Sequence, residues 1–153
     1  MRGFSEDDKG RLLLLLMDQE LEKFGQLREL GKTQMELLEA DDVDAFNMSI
    51  DSGQEIIDKI SGLHQETQTL MQSYISNLNP DGGAGIEEIE TAAARLRDMI
   101  AECAGQNDKI AANAKERAGS YMERIGTLRA NRKGLDTYIQ KIASDPKLFD
   151  KKM

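Results

Sequence analysis

Apolar residues recur at alternating steps of three and four along most of this 153-residue chain, the spacing that keeps one face of an α-helix continuous. The first row is Leu14, Met17, Leu21, Phe24, Arg28, Gly31, Met35 and Leu38, widened by Leu13, Leu16, Leu27, Leu30 and Leu37. A stripe that wide can touch two neighbouring helices. Glu39-Ala40-Asp41-Asp42 interrupts it, and Asp42 or Asp44 can cap a second helix, so the pattern predicts helix one over about 6–40 and helix two from about 43. Helix two repeats the spacing at Phe46, Ile50, Gly53, Ile57, Ile60, His64, Thr67, Met71, Tyr74 and Leu78. It ends at the loop 79–85, Asn-Pro-Asp-Gly-Gly-Ala-Gly, a run of helix breakers.

Helix three is predicted over about 86–144. Its row is Ile86, Ile89, Ala93, Leu96, Ile100, Cys103, Asn107, Ile110 and Ala114, and it slips by one residue to Ala118, Tyr121, Ile125, Leu128, Arg132, Leu135, Ile139 and Ile142. That slip predicts a change of partner geometry near residue 116. Gly119, Gly126 and Gly134 weaken the second half and make a kink near 119 expected. Asp145-Pro146 stops the helix.

Lengths then matter. A rod from Ile86 to Ile142 would measure about 85 Å, against about 50 Å for each of the first two helices. The expected fold is all-α, a single domain built as an antiparallel three-helix bundle or coiled coil with an over-long third helix packed on helix two. Residues 119–144 would overhang it with an uncovered apolar stripe, and such stripes are docking sites or oligomer seams. The predicted client-binding residues are Tyr121, Ile125, Leu128, Leu135, Tyr138, Ile139 and Ile142 as apolar anchors. Arg129, Arg132 and Lys133 would steer acidic flanks.

Composition narrows the class. Charged residues make up 31% and aromatics 5%, with two prolines and no tryptophan, a profile of solvent-washed helices. The net charge of −8 argues against nucleic acid as a partner. Residues 1–80 hold 16 acids and 7 bases, while 109–152 hold 11 bases and 5 acids, so opposite signs can keep the bundle in register. The single cysteine, Cys103, excludes an intramolecular disulfide, fits a reducing compartment and falls at an apolar helical position. Leu12–Met17 is too short to span a bilayer and its flank is acidic, so no integral membrane segment is expected and the chain reads as cytoplasmic.

No motif points to catalysis, a cofactor or a metal. One histidine and one cysteine in separate helices do not make a metal site. Gly82-Gly83-Ala84-Gly85 lacks the lysine and the strand of a phosphate loop and reads as a turn. His64 reads as a packed, hydrogen-bonded residue, and Asn107 as a buried amide that fixes register. The chain is therefore expected to be a binding protein and not an enzyme.

The chain resembles the FlgN family of flagellar export chaperones from about Leu12 to Tyr138. The likeness rests on Leu21-Glu22-Lys23-Phe24 through Leu37-Leu38-Glu39-Ala40-Asp41-Asp42-Val43-Asp44-Ala45-Phe46. It continues in Ala104-Gly105-Gln106-Asn107 onward to Leu135-Asp136-Thr137-Tyr138. The family's late tyrosine is commonly followed by a short glycine-containing tail, whereas Tyr138 leads into Ile139-Gln140-Lys141-Ile142. The resemblance implies a cytoplasmic chaperone that binds hook-filament junction proteins through its C-terminal helical region, prevents their premature assembly and delivers them to the type III export apparatus. The alternative is a structural coiled-coil protein that forms a homodimer through the same helix.

Overall fold

The computed structural model describes residues 6–76, 86–117 and 122–143. They form four helices: α1 (Glu6–Glu39), α2 (Val43–Ser76), α3 (Ile86–Arg117) and α4 (Met122–Ala143). The all-α class follows from the apolar periodicity, and among the described residues there is no strand.

The turn between α1 and α2 lies where the acidic break predicts it. Asp41 takes a left-handed backbone (φ 55°), the Asp41 amide donates to the Leu38 carbonyl, and the Asp42 amide reaches back to Leu37 at 3.0 Å. This double bond pattern satisfies carbonyls that a helix end leaves free. Asp42 then caps α2, its carboxylate accepting the Ala45 amide at 3.2 Å. The hairpin is antiparallel. Gln34 donates to the Ser49 carbonyl near the turn, Glu20 meets His64 midway, and Lys9 donates to Ser73 at the far end.

Helix α3 does not lie on α2, as expected from its sequence, but along α1 and parallel to it. Cys103 donates to the Phe24 carbonyl, Gln106 donates to the Arg28 carbonyl at 2.9 Å, and Arg28 pairs with Glu102. The reason sits in the α1 row itself, whose two members that are not large apolar groups, Arg28 and Gly31, are where the Gln106 side chain of α3 enters. A methyl group added at Gly31 would collide with the Gln106 side-chain amide.

The over-long third helix is likewise corrected. α3 stops at Arg117 and α4 returns antiparallel along it, so the expected kink near Gly119 is a reversal of direction; residues 118–121 and the stop at 144–146 lie outside the described residues. Asn107 donates its side-chain amide to the Leu128 carbonyl at 2.6 Å, and Arg132 pairs with Asp108 at 2.9 Å. Energy decides the matter. A straight rod would leave Ile125, Leu128 and Leu135 in water, whereas each large aliphatic side chain gains about 1.5 to 3 kcal/mol on burial. Interrupting the helix once costs only a few backbone hydrogen bonds that water can replace.

The result is two antiparallel hairpins, α1–α2 and α3–α4, joined through the parallel pair α1 and α3. Helices α2 and α4 close the ring loosely. Two apolar blocks fill the interior. One holds Leu13, Met17, Phe24, Ile60, Tyr74, Ile89, Leu96, Ile100, Cys103 and Leu135, and the other holds Leu38, Phe46, Ile50, Ile110, Ala114, Ile125 and Leu128. Between them lies a polar layer of Gln34, Gln106, Asn107 and Asn131 around a cavity of about 20 Å³, room for about one water.

Candidate protein-binding site

The C-terminal helix carries almost every residue that the sequence marks for client binding, and most of those side chains face inward. Ile125, Leu128 and Leu135 are 5%, 1% and 3% exposed, which removes the uncovered stripe predicted for an overhang. Tyr138 and Ile139 are half-buried against the first apolar block. Arg132 is partly exposed and held by Asp108 and Asp136, and the Asp108 hydrogen bond is the main reason its acidity falls further below its usual value. Arg129 and Lys133 face solvent. Tyr121 and the side chain of Ile142 lie outside the described residues.

What remains accessible is the seam between α2 and α4. Among the described residues, Phe46 and Ile50 of α2 share an apolar block with Ile125 and Leu128 of α4, and side-chain pairs join the two helices near both ends of α4. Near the start of α4, Arg124 forks onto the Asp51 carboxylate at 2.8 and 3.3 Å, an exposed pair of the kind that adds little stability. Near its end, the Tyr138 ring meets His64 edge to face at a centroid distance of 5.0 Å and Phe24 at 6.1 Å. Burial lifts the Tyr138 hydroxyl above its ordinary pKa; the nearby Glu20 and Asp58 carboxylates act in the same direction, and a hydrogen bond with Ser61 opposes them.

Beneath Tyr138 lies a buried polar contact. His64 Nδ1 stands 2.9 Å from the Glu20 carboxylate, with the two residues 7% and 1% exposed. The imidazole Nε2 has no hydrogen-bond partner among the described residues. One helix from each side of the seam, plus α1, therefore meets at this point. The sequence reading placed His64 on the apolar row as a packed residue, which is where it sits, but it overlooked Glu20. The available signal was spacing: Glu20 falls three residues after Met17 and four before Phe24, both buried.

The contacts at this point are those of side-chain packing and hydrogen bonding. Among the described residues, no three histidine, cysteine or carboxylate side chains gather in a way that could hold a metal ion, and no helix is long and apolar enough to cross a membrane. Cys103 is buried, its thiol pushed up to about 11 by burial, with Glu102 adding to the shift and Arg28 opposing it, so it is a poor nucleophile. No protein-family model, no curated protein and no solved structure matches the chain.

Proposed function

We propose that the chain is a protein-binding chaperone of flagellar type III export, acting in the cytoplasm on hook-filament junction proteins and presenting them to the export apparatus. The single observation that carries this reading is the weakness of the α2–α4 seam beside an amphipathic helix with half-buried Tyr138 and Ile139. Parting of α4 from α2 leaves its packing on α3 in place and widens the exposed apolar surface around Leu135, Tyr138 and Ile139. An amphipathic client helix inserted there would bury that surface, with Arg129 and Lys133 facing its acidic flank. Gly126 and Gly134 have no neighbour within 4 Å of an added methyl group, so they serve no close packing and lower the helical stability of α4. Both properties suit an element that moves.

The test is calorimetric titration with a purified junction protein. Asp51→Ala removes the Arg124 bridge and should raise affinity by up to about fivefold, because an exposed ion pair contributes at most about 1 kcal/mol to holding the seam shut. Ile139→Asp should weaken binding in the same assay. Absence of measurable binding by the unaltered chain would end this reading.

A further inference from the structure

A groove of mixed polarity, apolar at Leu14, Met17, Leu21 and Ala92, lies away from the α2–α4 seam. Among the described residues it is lined by α1 and α3, and its open volume is about 360 Å³. Met17 and Ala92 form its floor, and the half-buried Leu14 and Leu21 form one wall. Two turns further along the same pair of helices, the 3.4 Å Arg28–Glu102 bridge crosses from α1 to α3. Leu15, 53% exposed, extends the apolar surface outward on the α1 face that also carries Asp18 and Glu22.

The rim is acidic. Asp18, Glu87 and Glu88 are exposed around the opening, against one exposed base, Arg95. The half of the chain that supplies α1 carries a large acidic excess, so the local field reinforces the rim. The groove follows the parallel pair α1 and α3, and Leu14 and Leu21 are seven residues apart on one helical face. A helix laid in the groove meets them with apolar residues of the same period.

We propose that this groove is a docking site for a lysine- or arginine-bearing amphipathic helix of a partner protein. Apolar anchors two turns apart enter between Leu14, Leu21 and Ala92, and the flanking cations face Asp18, Glu87 and Glu88. The site shares no residue with the α2–α4 seam, so the two can be occupied independently.

The experiment titrates the full-length chain with two synthetic helical peptides of about four turns that share one leucine face and differ in carrying lysine or glutamate on its flanks. Isotope-labelled protein is monitored by amide chemical shifts. The lysine peptide should bind, perturbing amides around Leu14–Leu21 and Thr91–Arg95. Asp18→Asn with Glu88→Gln should weaken it about fivefold, and Glu55→Gln with Glu66→Gln, an equal change of net charge on α2, by less than about twofold. Four results would overturn the proposal. They are equal weakening by both pairs, equal binding of the glutamate peptide, shifts confined to the α2–α4 seam, and a homodimer by light scattering that the Asp18 and Glu88 variant dissolves.

Discussion

His64 and Tyr138 meet ring to ring at 88° and 5.0 Å, and among the described residues this is the one aromatic contact that ties α4 to α2. Glu20 of α1 holds the imidazole at Nδ1, so the tyrosine packs on a ring that is already oriented. Tyr138→Ala should destabilise the protein by about 2 kcal/mol, less than a fully buried aromatic would cost because the ring is half-buried. Tyr138→Phe, which keeps the ring, should cost under about 1 kcal/mol. Urea denaturation gives both values. If the alanine variant unfolds as the unaltered chain does, the ring contact contributes nothing to docking.

Breaking the pair beneath it should cost more than replacing it. Glu20→Leu alone leaves His64 buried without its partner and should destabilise by about 3 kcal/mol, whereas Glu20→Leu with His64→Leu should recover most of that loss. A double-mutant cycle in urea measures the coupling. Additive single losses would show that the two side chains do not act as a pair.

Two kinds of helical glycine should respond in opposite ways to alanine. At Gly31 the added methyl displaces Gln106 and its bond to the Arg28 carbonyl, so Gly31→Ala should destabilise by about 1 to 2 kcal/mol even though alanine favours the helix. At Gly126 and Gly134 the space is open, and each substitution should stabilise by up to about 1 kcal/mol. Thermal melts of the three single variants provide the check, and a stabilised Gly31→Ala would contradict the close approach of α1 and α3.

Alkaline pH should expose the burial of Cys103. Its folded pKa is about 11 against 9.0 for a free thiol, so folding favours the protonated form. The unfolded chain loses that proton first. Stability from this group is therefore complete below pH 9 and declines as pH climbs toward 11, with Tyr138 acting in the same direction above pH 10. Cys103→Ala should flatten the decline between pH 9 and 11 in denaturation curves, although the variant is less stable at neutral pH. An unchanged slope would mean that the thiol is not shielded.

Local structure was legible because it depends on neighbours within one turn. The turn between α1 and α2, the Asp42 cap, the burial of Cys103 and the placement of His64 all follow from residue type and spacing. The pairing of helices was not legible. Arg28 and Gly31 look like gaps in an apolar row, and only in three dimensions do they become the place where Gln106 enters. Helix length misled for a related reason. The slip after Ala114 correctly marks a change of partner, but periodicity carries no sign for direction, so a continuing rod and a returning hairpin give the same row. Burial of Ile125, Leu128 and Leu135 selects the return. The carboxylates that hold α4, Asp51 and Asp108, sit on exposed faces where no sequence pattern distinguishes them from ordinary solubilising charges.

The amide-lined layer at Gln34, Gln106, Asn107 and Asn131 also has a kinetic meaning. It separates the block beside the two hairpin turns, from Leu38 and Phe46 to Ala114 and Ile125, from a block whose contacts join residues much further apart along the chain. Loop-closure entropy favours the former as the folding nucleus. Core truncations there, such as Ile50→Val, should slow refolding, whereas Ile89→Val at the opposite pole should mainly hasten unraveling. Amide protons of α1 near Leu13 and of α3 near Ile89 would then exchange before those flanking the turns, giving the molecule a firm pole and a yielding one.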